Sequence, residues 1–411
     1  KSLTVSGITG INKVYDGNTV VTLNSSSVSY SGIVSGDSFV GTYSGVFTDP
    51  NVATGKTVTI TSSYSGSDVN NYVVTNQATT TANITSRPAG VSGITIFGVS
   101  VNNKEYDGTV TAPLDTSSIL YTGILPGDDV SGSYSGVFAN ANAGNGKTVT
   151  ITSTYSGADA GNYSFTDQST TTGNIVPKVL TATASASNKT YDGGTTASTT
   201  LTFTGLVGSE TLGQTVGSTF DNKNVGSNKT VTVNSITLAD GSGLAANYSI
   251  SAGQTTTANI TAKSLTVSGI TASNKTYDGN GVATLDASSV AYSGIVGSDI
   301  FNGTYTGAFS DKNVGTGKTV TITPSYSGAD VSNYSITNHA DVTANITAKS
   351  LTVSGITASS KTYDSNVTAT MDSSSVVYNG LVSGDTFTGS YSGVFANANV
   401  GTGKTVTITS S

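Results

Sequence analysis

Lys13-Val14-Tyr15-Asp16-Gly17 returns as Lys104-Glu105-Tyr106-Asp107-Gly108, as Lys189-Thr190-Tyr191-Asp192-Gly193 and as Lys275-Thr276-Tyr277-Asp278-Gly279. It comes once more as Lys361-Thr362-Tyr363-Asp364-Ser365, with Ser in the Gly position. The five tyrosines stand 91, 85, 86 and 86 residues apart. Self-similarity at a fixed long period marks a repeat architecture. Other strings keep the same beat. Gly55-Lys56-Thr57-Val58-Thr59-Ile60 returns from Gly146, Gly317 and Gly403, with Asn228-Lys229-Thr230-Val231-Thr232-Val233 in the third copy. Asn71-Tyr72 returns at Asn162-Tyr163, Asn247-Tyr248 and Asn333-Tyr334, and Ala82-Asn83-Ile84-Thr85 returns at Ala258 and Ala344. The chain therefore divides into repeats at 1–86, 87–176, 177–262, 263–348 and 349–411. The fifth stops before its Asn-Tyr and Ala-Asn-Ile-Thr strings and is incomplete.

Each repeat reads as all-β. Leu3-Thr4-Val5, Thr57-Val58-Thr59-Ile60-Thr61 and Val320-Thr321-Ile322 alternate apolar and polar residues, the period of a half-buried strand. Turn residues punctuate these runs at Asp16-Gly17-Asn18, Ser35-Gly36-Asp37 and Ser65-Gly66. No segment holds a helical period. Strands at roughly 8–12-residue spacing predict about seven per repeat, a small β-sandwich of immunoglobulin-like size. Junctions such as Ile260-Thr261-Ala262-Lys263-Ser264-Leu265 are too short for a flexible tether. The expected architecture is a tandem array of small sandwiches, beads on a string. The first junction, Ser86-Arg87-Pro88-Ala89-Gly90, adds residues and a Pro expected to stiffen or kink it.

Composition narrows the chemistry. The 411 residues include no Cys and no Trp, and Met371 and His339 are the sole Met and His. Disulfides, thiolate metal sites and Cys nucleophiles are thereby excluded. One His cannot serve a catalytic unit repeated five times, so the expectation is that the chain is not an enzyme. A net charge of −7 repels nucleic acid. No run approaches the roughly 18 apolar residues of a membrane-spanning helix. The chain opens on Lys1 rather than Met, which suggests a piece cut from a longer precursor.

The Lys-x-Tyr-Asp-Gly signature, near the start of a Gly/Thr/Ser-rich repeat, resembles the YDG-type and related MBG repeats. These occur in very large secreted bacterial proteins, among them filamentous-haemagglutinin-like adhesins. The resemblance covers all five repeats, the third being the most divergent. It implies an exported protein at the bacterial cell surface or in an extracellular matrix, with the repeats as stalk. It brings no catalytic residues with it.

The residues themselves offer few sites. Tyr15, Asp16, Gly17 and their counterparts through Tyr363 and Asp364 are expected to be structural. Asp-Gly supplies a turn in which Gly takes positive φ, while Tyr packs its ring and hydrogen-bonds through its tip. The alternative is a ligand site, since Tyr and Asp suit sugar hydroxyls. Calcium is the one metal the acids raise. Yet Asp37, Asp128, Asp299 and Asp385 sit singly in a mid-repeat turn and Asp68, Asp159 and Asp330 lie near Asn-Tyr, whereas a hard cation wants six to eight converging oxygens. No cofactor is expected. The lysines in register, Lys13, Lys104, Lys189, Lys275 and Lys361, raise a Lys–Asn crosslink, which needs a buried Lys, an Asn and a carboxyl group together. The functional expectation is a stalk or spacer whose partners are neighbouring repeats. One alternative is weak multivalent binding to a host or matrix glycan or protein. The other is a filament of several copies, in which a neighbour's strand closes the incomplete fifth repeat.

Overall fold

The computed structural model describes residues 1–88 and 94–411, and the part of the first junction at Ala89-Gly90 lies outside them. The chain is all-β. The first repeat sets the pattern with ten strands: β1 Ser2–Ser6, β2 Thr9–Gly10, β3 Lys13–Val14, β4 Val20–Val21, β5 Leu23–Asn24, β6 Ser29–Ser31, β7 Val40–Phe47, β8 Ala53–Ser65, β9 Val73–Thr75 and β10 Thr79–Thr85. The sequence spacing suggests about seven. The surplus comes from two-residue strands too short to show a period. β6, β1 and β9 form a leading three-stranded sheet, and β3, β10, β8, β7 and β4 form a trailing five-stranded one. β2 and β5 make a separate pair between them in sequence.

Alternation decides which face of each strand turns inward. In β1, Leu3 and Val5 are buried while Ser2, Thr4 and Ser6 face solvent. In β8, Val58 and Ile60 are buried while Thr57, Thr59 and Thr61 are exposed. β7 and β8 pair antiparallel without a break from Val40–Ser65 to Phe47–Val58, so their pleats stay in phase and present one apolar face.

Two cores result, and the second crosses the repeat boundary. Leu3, Val5, Ile8, Phe39, Ile60 and Tyr72 form the leading core of the first repeat. Tyr15, Val21, Phe47, Val58, Ala82 and Ile84 form a trailing core, and it is completed by Ile94, Ile96 and Tyr163 of the second repeat. Tyr106, Ala112, Phe138, Val149 and Ile175 pack likewise with Leu180 and Tyr248. Tyr191, Phe220, Val231 and Ile260 pack with Leu265, Val267, Phe301 and Tyr334. Side chains of consecutive repeats thus bury one another's apolar surface, worth about 1.5–3 kcal/mol for each large side chain fully buried.

The chain falls into two compact units. One comprises Lys1–Thr183, Thr202–Thr215 and Ile236–Ser251, the other Ala184–Leu201, Val216–Ser235 and Ala252–Ser411. The leading half of the third repeat belongs to the first unit and its trailing half to the second.

Candidate functional site

The repeated motif is built from two parts that obey different physics. The first is a local turn. Gly17, Gly108, Gly193 and Gly279 sit at φ 75°, 77°, 79° and 83°, left-handed backbone that Gly adopts without steric cost. Ser365 takes φ 66° in the last copy. Inside the turn, Lys13 Nζ donates to the Asn18 and Val20 carbonyls at 2.7 and 2.9 Å and pairs with Asp16 at 2.7 Å. The same cradle forms at Lys104–Asp107, Lys189–Asp192, Lys275–Asp278 and Lys361–Asp364, between 2.7 and 2.9 Å. Lys275 holds the Asp278 carboxyl below its ordinary range. At Asp16 burial pushes the other way, but the Lys13 and Asn18 hydrogen bonds outweigh it.

This geometry bears on the Lys–Asn crosslink. Lys13 Nζ does meet Asn18 Oδ1 at 3.0 Å, beside Asp16. Its donors, however, are turned to carbonyl and carboxylate oxygens, the arrangement of a protonated ammonium. Attack on the amide needs a neutral amine. In the second and third copies Thr109 and Gly194 stand where Asn18 does.

The second part is a joint between repeats. β3 delivers Tyr15 to the end of the trailing sheet, where its N–H donates to the Thr85 carbonyl at 2.9 Å. Its ring is 2% exposed. Its hydroxyl donates to Asp128 Oδ2 of the second repeat at 3.0 Å, and Tyr163 of that repeat donates to the same oxygen at 2.5 Å. The two rings meet edge to face, 5.5 Å apart, a favoured aromatic geometry. The pattern recurs. Tyr106 and Tyr248 donate to the two oxygens of Glu210 at 2.7 and 2.5 Å. Tyr191 and Tyr334 share Asp299 Oδ2 at 2.8 and 2.6 Å. Tyr277 donates to Asp385 at 3.0 Å.

An asparagine clamp completes three of these joints. A short 3-10 turn, Ala160–Asn162, aims Asn162 back at the first repeat. Asn162 is 4% exposed; its Oδ1 accepts from Val52 N at 2.9 Å and its Nδ2 donates to Asn51 Oδ1 at 3.1 Å. Asn247 accepts from Ala143 N at 2.8 Å and Asn333 from Val225 N at 2.9 Å. The motif glycine belongs to the joint too. A Cβ on Gly17 would stand 3.3 Å from Leu125 Cδ1, and one on Gly193 would stand 2.9 Å from Val296 Cγ1. Tyr-Asp-Gly is therefore a place where one repeat ends on the next.

Electrostatics fit that role. Burial, then the hydrogen bond to Glu210, pushes the Tyr106 phenol up to about 12. Burial and Asp128 push Tyr163 up to about 12 as well. Both phenols stay neutral donors facing a carboxylate. At Asp299 a cation joins in. Lys223 Nζ lies 2.9 Å from Asp330 and 3.4 Å from Asp299, and Asp330, then Tyr191, raise its pKa. Pro50 stands at the corresponding place in the first joint.

The acids weighed for calcium are thus occupied. Asp128, Asp299 and Asp385 receive tyrosine hydroxyls, as Asp37 does from Tyr72. Asp68, Asp159 and Asp330 accept the backbone N–H of Ser38, Asp129 and Ile300. Among the described residues no three acidic or His side chains converge as metal ligands would. Gly315-Thr316-Gly317-Lys318-Thr319, a phosphate-loop lookalike, opens the long strand Gly315–Ser327, and Lys318 pairs with Asp311 at 2.6 Å. In the fifth repeat a cavity of ≈ 690 Å³ lies between Lys361, Tyr363, Phe395 and Lys404.

Comparison with known families gives a single answer. The model of the YDG domain matches five times in succession, at residues 1–82, 92–172, 176–258, 261–344 and 347–411. The chain belongs to the YDG domain family. No curated protein matches it. In this family's Tyr-Asp-Gly string the Tyr and the Gly meet the following YDG domain in the joints above, while the Asp stays within its own turn, paired with the motif Lys.

Proposed function

We propose that this chain is a non-catalytic stalk segment of a bacterial extracellular adhesin or surface fibre. In it the Tyr-Asp-Gly motif couples each YDG domain to the next. The observation that carries this reading is the destination of the motif: its tyrosine hydroxyl ends on a carboxylate of the following repeat, 2.7–3.0 Å away in four successive copies. A binding site would turn the same groups toward open solvent. The polar, weakly charged outer strands suit a spacer. Among the described residues no helix is long and apolar enough to cross a membrane. The test is limited proteolysis of intact cells of the bacterium that makes the protein. The stalk reading expects the chain to be shed from the surface while cytosolic proteins survive; a chain recovered only after lysis contradicts it.

Multivalent binding is a second reading, favoured by valines exposed at equivalent places. Val20 and Val282 are 65% and 68% exposed. Retention of the chain on immobilised host matrix or glycans, lost when both become Thr, would favour it.

A further inference from the structure

In each of the first four repeats two strands near its start lie beside two strands near its end and point the same way. β1 runs parallel to β9, with Ser2, Leu3 and Thr4 opposite Val73, Val74 and Thr75. β3 runs parallel to β10, with Lys13 opposite Ile84 and Val14 opposite Thr85. The second repeat pairs Ile94 with Phe165 and Lys104 with Ile175 in parallel. The third pairs Lys178 with Tyr248 and Lys189 with Ile260. The fourth aligns Lys263 through Thr266 with Tyr334 through Thr337, and Lys275 with Ile346. Further bonds tie the ends: Val73 N to the Lys1 carbonyl at 2.8 Å, and Tyr15 N to that of Thr85 at 2.9 Å.

Tension on such a chain pulls β1 and β3 toward its N-terminal end and their parallel partners β9 and β10 toward its C-terminal end. Parallel neighbours pulled in this sense slide along each other. Ladder hydrogen bonds run across the strands, so all of them stretch together and must fail together. A hairpin pulled at its open end would lose them one at a time.

We propose that each complete repeat is a tension-bearing element, its two parallel strand pairs acting as shear clamps that carry load through the domain without unfolding it. This deepens the stalk reading and rests on it for its use, since only a loaded tether needs such strength. The fifth repeat is an internal control. Its first strand, Thr352–Ser354, pairs only with Val377–Asn379, in antiparallel sense, and no parallel partner stands beside it among the described residues.

The experiment stretches the 411-residue chain between attachments at Lys1 and Ser411. Repeat 5 should open first at low force. Four high-force events should follow, each lengthening the chain by roughly 250–280 Å, the extended length of a repeat less its folded span. Val73 is 73% exposed, so Val73→Pro removes its N–H donor without touching the core. One of the four events should then fall in force or gain an early short step, while Val73→Thr leaves all four unchanged. Five repeats yielding at one low force, or four events indifferent to Val73→Pro, would overturn the proposal. Neither result depends on where the cell keeps the protein, so surface proteolysis and stretching fail independently.

Discussion

Tyr15 and Tyr363 sit in the same motif and meet different surroundings. Tyr15 is 2% exposed and Tyr363 59%. Yet the lysine cradle beside them is the same, with Lys13 2.7 Å from Asp16 and Lys361 2.9 Å from Asp364. The turn is also the same, at φ 75° for Gly17 and 66° for Ser365. The difference separates what the motif does alone from what it does in company. Lys, Asp and the left-handed residue fold the turn from within seven residues of chain. The tyrosine is buried only where β10 lies alongside and a following repeat offers a carboxylate and a second tyrosine.

That separation can be broken by substitution. Tyr15→Ala should cost about 3–5 kcal/mol, the range for emptying a buried aromatic site, whereas Tyr363→Ala should leave stability unchanged. Native-state hydrogen exchange at Val52 and Leu125, and at Thr368 for the last copy, reads both. Equal losses would mean that Tyr serves the turn rather than the joint.

A smaller and opposite pattern is expected from the cradle. Lys13→Met and Lys361→Met each strand carbonyl acceptors and should cost about 1–3 kcal/mol. The two losses should be alike, because the cradle needs no neighbour. Exchange at Val20 and Thr368 reports them, and a loss confined to Lys13 would show that the turn leans on the joint after all.

Alkaline titration sharpens the contrast with the least perturbation. The Tyr106 phenol rises from an ordinary 10.0 to about 12 in the fold. A group whose folded pKa is raised contributes stability that is whole below its unfolded pKa and drains away as pH climbs through the folded value. The joint should therefore weaken between about pH 10 and 12. Tyr106→Phe should flatten that limb of the stability curve.

Much of the fold was legible because it is local. Alternation in Thr57–Thr61 and Leu3–Val5 marks strands and their inward faces without any knowledge of partners. The repeat period follows from spacing alone. The two-residue strands, such as Thr9–Gly10 and Val20–Val21, left no trace because two residues cannot display a period. The shared cores were hidden for another reason: Tyr15 meets Tyr163 across 148 positions, and nothing in either neighbourhood announces the other. One signal was available. A carboxyl residue follows a Gly within two positions in every repeat, at Asp37, Asp128, Glu210, Asp299 and Asp385. The third copy breaks a search for Asp, since there the longer Glu210 does the work, reaching both tyrosines with separate oxygens.

The central claim is that the motif tyrosine binds its repeat to the next through a carboxylate, and a double-mutant cycle on Tyr15 and Asp128 tests it directly. Tyr15→Phe, Asp128→Ala and their combination would be compared in the whole chain by hydrogen exchange at Val52 and Leu125. The expected coupling is about 1.5–3 kcal/mol, the worth of a hydrogen bond to a charged group. Effects that simply add, to within about 0.5 kcal/mol, would contradict the joint.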